Sequence, residues 1–260
     1  MSLLAFQQAM CDLIASPDLC RRMRQDPDAI LTQYELSARE RRRLVSIIWQ
    51  RGMSTNCALY RANRITPIYS ALPLTCFLLG DLLLPETELY WRTTERVDLQ
   101  FSEESRRFAA FLLARLRTGA VTGGHLEEVL AFELATIDLR FALRAGNGHI
   151  SRDSPTLSQA ALRLHPLVRI VRFRHDPALL LDHITKMHRP PYDLPAAEFY
   201  VLLDARGDTL EIQRIDPQLG NLLAGFENHC APPLAPDDLL TLVEADLLVA
   251  SKGTQPRIKL

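Results

Sequence analysis

Residues 199–248, FYVLLDARGDTLEIQRIDPQLGNLLAGFENHCAPPLAPDDLLTLVEADLL, decide the fold. Phe199, Val201 and Leu203 alternate with Tyr200 and Leu202, and Leu210, Ile212 and Ile215 continue that spacing beyond Arg206-Gly207-Asp208. Period-two alternation on both sides of a turn reads as a β-hairpin, with Gly207 tolerating positive φ. Asp216 followed by Pro217 is a helix N-cap with proline at the first helical position. Two strands leading into two helices are the plan of a small winged-helix-like unit, which suits DNA or a peptide. The segment from Pro217 to Cys230 contains no Lys or Arg and carries Glu227. It therefore lacks the cations that dominate affinity for phosphates, and the charges favour a peptide.

Working outward, the chain has 260 residues, 47% of them hydrophobic, enough for two packed cores. A net charge of −1 argues against a general nucleic-acid or membrane-surface binder. The apolar run from Leu72 to Leu84 is interrupted by Pro73, Gly80 and Asp81, and the N-terminus has no basic region before an apolar core, so a cytoplasmic protein is expected. Cys11, Cys20, Cys57, Cys76 and Cys230 are odd in number and form no CxxC pair, which suits reduced thiols used in packing.

The first part of the chain reads as helical. Leu3, Phe6, Met10, Leu13 and Ile14 share a helix face. Ser16-Pro17 and Asp26-Pro27 each start a short helix, and Ser37 with Glu40 forms a capping box before Leu44, Ile47, Ile48 and Trp49, which are expected to be buried. Arg39, Arg41, Arg42 and Arg43 read as a solvated face. Breaks or kinks are expected at Pro67 and Pro73. A helix from Ser102 turns Phe108, Phe111, Leu112 and Leu116 inward, and another runs from about Gly124 to Arg144. Residues 146–158 have linker composition. The expectation is α+β: an all-helical domain over 1–150, then a winged-helix-like domain with a short β-sheet over 151–260. In the latter, Arg163 to Arg174 reads as a strand and Asp176-Pro177 starts a helix.

Catalytic motifs are absent: the sequence has no GxSxG, HExxH, phosphate-binding loop or GxGxxG after a strand. His175, His183 and His188 lie near Asp176 and Asp182. Helical ligand sets use i, i+3 or i, i+4 spacing, whereas these histidines are eight and five apart, so no metal site is expected among them.

Tyr60-Arg61-Ala62-Asn63, Leu72-Pro73, Leu78-Leu79-Gly80 and Leu130-Ala131-Phe132-Glu133-Leu134-Ala135 carry a resemblance that continues through His165-Pro166 and Leu210 to Asp216. With these residues the chain resembles a bacterial family, once labelled putative DNA-binding, whose members accompany TIM-barrel multinuclear iron oxidases. The run RGMSTNCALYRANRITPIYSALPLTC, from Arg51 to Cys76, is similar to the members that act in methanobactin biosynthesis. The resemblance implies a non-catalytic subunit with no cofactor of its own. The iron would lie in an MbnB-like barrel partner, and the pair would convert cysteines of a ribosomally made precursor peptide to oxazolone and thioamide groups.

On this reading Asn56, Tyr60, Arg61, Asn63 and Arg64 dock the barrel. Arg169, Arg172 and Arg174, with Asp176 the only acid seen nearby in sequence, favour an acidic leader beside Leu219, Leu222, Leu223 and Phe226. Two other readings stay open: a partner of a related iron oxidase serving a different peptide, and a winged-helix DNA-binding regulator.

Overall fold

The computed structural model describes residues 3–94, 101–145, 162–191, 193–228, 230 and 233–250. The expected linker and the tail after Ala250 lie outside these residues. The chain is α+β, a helical N-terminal region followed by strands. Its contacts group it into two compact units, 1–70 and 71–260.

The first unit contains α1 (Leu3–Ala15), α2 (Pro17–Gln25), α3 (Pro27–Leu31), α4 (Ala38–Ile48) and nearly all of α5 (Arg51–Ala71). Local capping sets its helix starts. Ser16 accepts from Leu19 N, Asp26 accepts from Ala29 N, and Ser37 and Glu40 form the full capping box. Ala9, Leu13, Met23, Ile30, Leu44, Ile48 and Met53 form its core. Trp49 differs from expectation, being 65% exposed because α4 ends at Ile48 and Trp49 lies beyond the buried stripe. The Arg24 guanidinium stacks 5.4 Å from its ring centroid. Pro67 also differs. It lies buried inside α5, which continues to Ala71, whereas Pro73 does mark a boundary as the first residue of α6.

The second unit begins with α6 (Pro73–Leu79), a 3-10 turn (Gly80–Leu82), α7 (Leu83–Thr93), α8 (Phe101–Arg117) and α9 (Leu126–Arg144). It continues through β1 (Leu162–Leu164), β2 (Val168–Phe173), α10 (Pro177–Thr185), β3 (Phe199–Asp204), β4 (Glu211–Ile215), α11 (Pro217–Glu227), α12 (Pro236–Glu244) and β5 (Leu248–Ala250). The single strand expected from Arg163 to Arg174 is two strands in two sheets: β1 pairs with β5, and β2 joins an antiparallel sheet of order β2-β3-β4. His165-Pro166 makes the turn between them, where His165 Nδ1 accepts from Leu167 N at 3.0 Å.

A boundary at 150 would cut through a core. Val129, Ala135 and Leu139 of α9 pack in one cluster with Val171 and Phe173 of β2, Leu180 and Ile184 of α10, and Val201 and Leu203 of β3. The opposite face of the sheet, with Val168 and Leu202, packs with Leu223 and Phe226 of α11 and Leu239 and Leu242 of α12. α11 approaches β3 so closely that a Cβ on Gly220 would fall 2.2 Å from Tyr200 Cγ. The hairpin joins β3 to β4 as expected, but its turn uses no left-handed backbone at Gly207. Arg206 instead clamps it by pairing with Asp204 and donating to Ala245 O at 2.7 Å. Among the described residues no single helix is long and apolar enough to cross a membrane.

Candidate functional site

The N-terminal turn of α9 carries the densest polar contacts. Its acids, Glu127 and Glu128, suit the positive end of the helix, and His125 is the N-cap residue. One turn of spacing puts His125 and Glu128 on the same face. Because α9 packs on β2, the end of that strand, Arg174-His175, arrives at this turn. The segment Arg189-Pro190-Pro191 brings a carbonyl to the same place.

The resulting geometry is compact. Glu128 Oε2 accepts from Arg174 N at 2.7 Å and His175 N at 3.3 Å. Glu128 Oε1 lies 3.0 Å from His125 Nδ1 and 2.7 Å from His175 Nδ1, and the two Nδ1 atoms are 3.2 Å apart. The imidazoles meet edge to face at 87°. His125 Nε2 is 3.0 Å from Pro191 O. His125 and Glu128 are buried, and His175 is partly so. A cavity of about 260 Å³ adjoins His125, with Gly123, Gly124, Arg189 and Pro190 in its wall. Leu79 and Asp81 also line it, and Gly80 between them, at φ 53°, lets Arg189 approach so closely that a Cβ would stand 2.7 Å from its guanidinium. Sequence reasoning weighed His175 with His183 and His188, but the group the fold assembles is His125, Glu128 and His175. The i, i+3 pair His125-x-x-Glu128 was the available signal.

The residues assigned to a leader peptide sit differently from expectation. Leu223 and Phe226 are 0% and 3% exposed, and Leu219 and Leu222 pack against the same core, so this α11 face is spent on folding. Each arginine meets a carboxylate other than Asp176. Arg169 faces Glu227 at 3.8 Å, Arg172 meets Glu198 at 2.8 Å, and Arg174 meets Glu127 at 3.5 Å. Strand pairing and helix packing supply these acids from far along the chain. Arg172 and Arg174 remain largely exposed, while Arg169 also donates to Pro166 O and Val168 O.

The outer edge of β4 is the surface that sequence reasoning left unspecified. Glu211 to Arg214 are all exposed, and Ile212 is 55% exposed despite its strand position. Ile212 pairs with Leu203, so it points to the α9 side of the sheet. Before the strand, between α9 and the hairpin turn, a cavity of about 230 Å³ is lined by Leu139, Arg140 and Leu143 of α9 and by Asp208, Thr209 and Leu210 of the turn.

The residues assigned to the barrel partner all lie on α5. Asn56 and Asn63 are exposed, Tyr60 and Arg61 are partly buried, and Arg64 is 6% exposed and so belongs to the interior of the fold. Leu59, 56% exposed, lies between Asn56 and Asn63 at helical spacing and adds an apolar member to that face.

Cysteine chemistry receives no support from burial. Cys20 and Cys76 are core residues, Cys57 is half-buried, and Cys11 and Cys230 are exposed; all five are free thiols. Burial pushes the Cys76 thiol up to about 12, far from the thiolate form. A scan against protein-family models finds no match for this chain, and a search of curated proteins finds none either.

Proposed function

We propose that this chain is the MbnC-like, non-catalytic partner of an MbnB-like TIM-barrel iron oxidase, and that it holds the leader of a ribosomally made precursor peptide as a strand added to β4. The outer edge of β4, with which no strand among the described residues pairs, carries this reading. An edge strand presents unpaired backbone donors and acceptors, which is the generic basis of peptide capture by strand addition. Alternate leader side chains would lie on the face that exposes Ile212, with Leu139, Leu143 and Leu210 around the cavity at the hairpin-turn end. The partner would hold the iron and, with dioxygen as the oxidant, supply the oxidation chemistry, while this chain would hold and present the peptide. The exposed α5 face with Asn56, Leu59 and Asn63 would dock the barrel, and Tyr60 and Arg61 at its margin would contribute less than a fully exposed pair. The resemblance of residues 51–76 to the methanobactin members supports the substrate class.

The test uses a fluorescent peptide copied from the leader of a Cys-containing precursor encoded beside this chain. Wild type should bind it saturably, and Ile212→Asp, which replaces the exposed apolar side chain of the edge strand by a charge, should weaken binding by at least about tenfold, or 1.4 kcal/mol. Duplex DNA at matched salt should not compete. Equal affinity of both proteins would remove the leader from β4, and sequence-specific DNA binding would support the regulator reading.

A further inference from the structure

Proton positions at the α9 terminus lead to a conclusion separate from leader capture. The Pro191 carbonyl accepts only, so His125 Nε2, 3.0 Å away, carries a hydrogen. In a neutral ring that leaves a lone pair on Nδ1, facing Glu128 Oε1 at 3.0 Å and His175 Nδ1 at 3.2 Å. Glu128 is oriented by the backbone N–H groups of Arg174 and His175 on Oε2, which leaves Oε1 turned to the two rings.

A hydrogen on His175 Nδ1 satisfies Oε1 but leaves His125 Nδ1 and Oε1 opposed, lone pair to lone pair. Hydrogens on both Nδ1 atoms set two N–H groups against each other across 3.2 Å. A cation shared by the three atoms removes both conflicts.

We propose that His125 Nδ1, Glu128 Oε1 and His175 Nδ1 form a binding site for a first-row divalent cation, with Zn²⁺ as the probe. Mutual separations of 2.7 to 3.2 Å let one ion stand about 2.0–2.2 Å from all three. Two imidazoles and one carboxylate suit zinc or ferrous iron. They do not suit calcium or magnesium, which take oxygen shells, or cuprous copper, which takes thiolates. The surroundings also resemble those behind metal ligands. The histidine's second nitrogen donates to a carbonyl, and the carboxylate's second oxygen is hydrogen-bonded. The ion would tie the start of α9 to the end of β2, with Pro191 held behind one ligand. This site is distinct from the iron assigned above to the partner.

The experiment uses the full chain without an affinity tag, stripped with chelator and dialysed against Zn²⁺ at neutral pH. Wild type should retain one equivalent, and X-ray absorption should show a nitrogen and oxygen shell containing two imidazoles. His175→Ala and His125→Gln should lose affinity by more than the 10- to 100-fold typical of removing a group behind a ligand, with far-UV circular dichroism confirming the fold. If both variants misfold, the absorption spectrum of wild type decides alone. Failure of wild type to retain zinc, equal retention by folded variants, or a shell without two imidazoles would overturn the site. Leader titration of the stripped protein keeps this result separate from the β4 reading.

Discussion

Two buried glutamates lie five residues apart on α9, and the fold uses them differently. Glu133 gives both oxygens to backbone donors, Leu74 N and Thr75 N, each at 2.8 Å. It thereby supplies from another helix the side-chain cap that Leu72 cannot give α6. Glu128 gives one oxygen to backbone donors and turns the other to two imidazoles. Glu133 is a closed connection between helices. Glu128 is half closed, and its open oxygen makes the α9 terminus a candidate site. Burial alone does not separate them, since Glu133 is 5% and Glu128 7% exposed; the identity of the hydrogen-bond partners does.

The largest effects should come from removing either carboxylate, and zinc should separate the two. Each truncation leaves two backbone N–H groups without their acceptor, at about 1–3 kcal/mol per buried donor. Glu133→Ala should therefore lose about 2–6 kcal/mol, whether or not zinc is added. Glu128→Ala should lose a similar amount in chelator and more in zinc, because only wild type gains from a bound ion, by about 2.7 kcal/mol at one hundred times the dissociation constant. Denaturant titration of the three proteins, with and without zinc, checks this. An equal zinc response in wild type and Glu128→Ala would erase the distinction.

The two outer strands of the main sheet repeat the contrast at lower energy. The arginines of β2 are paired with carboxylates, whereas among the described residues no strand pairs with the outer edge of β4. Exposed ion pairs contribute about 0–1 kcal/mol. Arg172→Glu with Arg174→Glu should accordingly change leader affinity by less than about fivefold, well below Ile212→Asp. A loss equal to that of Ile212→Asp in the same titration would return the leader to β2.

These contrasts follow the range over which each signal acts. Caps are local, so Ser16, Asp26, Ser37 with Glu40, Asp176 and Asp216 could all be read from a few neighbouring residues. The hairpin and its two following helices were legible for the same reason. Leu219, Leu222, Leu223 and Phe226 have helical spacing whether they meet a core or a ligand, and only packing against β1, β2 and β3 decides. Arg172 finds Glu198, and Arg174 finds Glu127, through pairings that no local window contains. The candidate site failed to emerge for that reason too. His125 and Glu128 are one turn apart, but His175 joins them across 50 positions because α9 lies on β2. Pro67 teaches the opposite case, a strong local signal overridden inside a long helix, at one of its few buried positions.

The smallest expected effect is in pH dependence, and it tests whether Glu133 is as closed as its geometry suggests. Burial, the largest influence, raises its carboxyl above the ordinary range, while the hydrogen bonds from Thr75 and Leu74 oppose that rise. A carboxyl that titrates higher in the folded chain binds its proton more tightly there. Its contribution is complete below the unfolded-state value and disappears as pH rises through the folded-state value. His165 runs the other way: burial, then the nearby Arg206 charge, lowers its affinity for a proton. Its contribution is present above the unfolded value near 6.5 and is lost as pH falls toward the folded one. Wild type should therefore gain on Glu133→Gln as pH falls from neutral toward the carboxyl range, and lose ground to His165→Gln over the first part of the same interval. Denaturation midpoints of the three proteins at several pH values give both slopes. A wild-type advantage over Glu133→Gln that shrinks with acidification would mean that the two backbone donors outweigh burial, and that Glu133 works as a fully ionised cap.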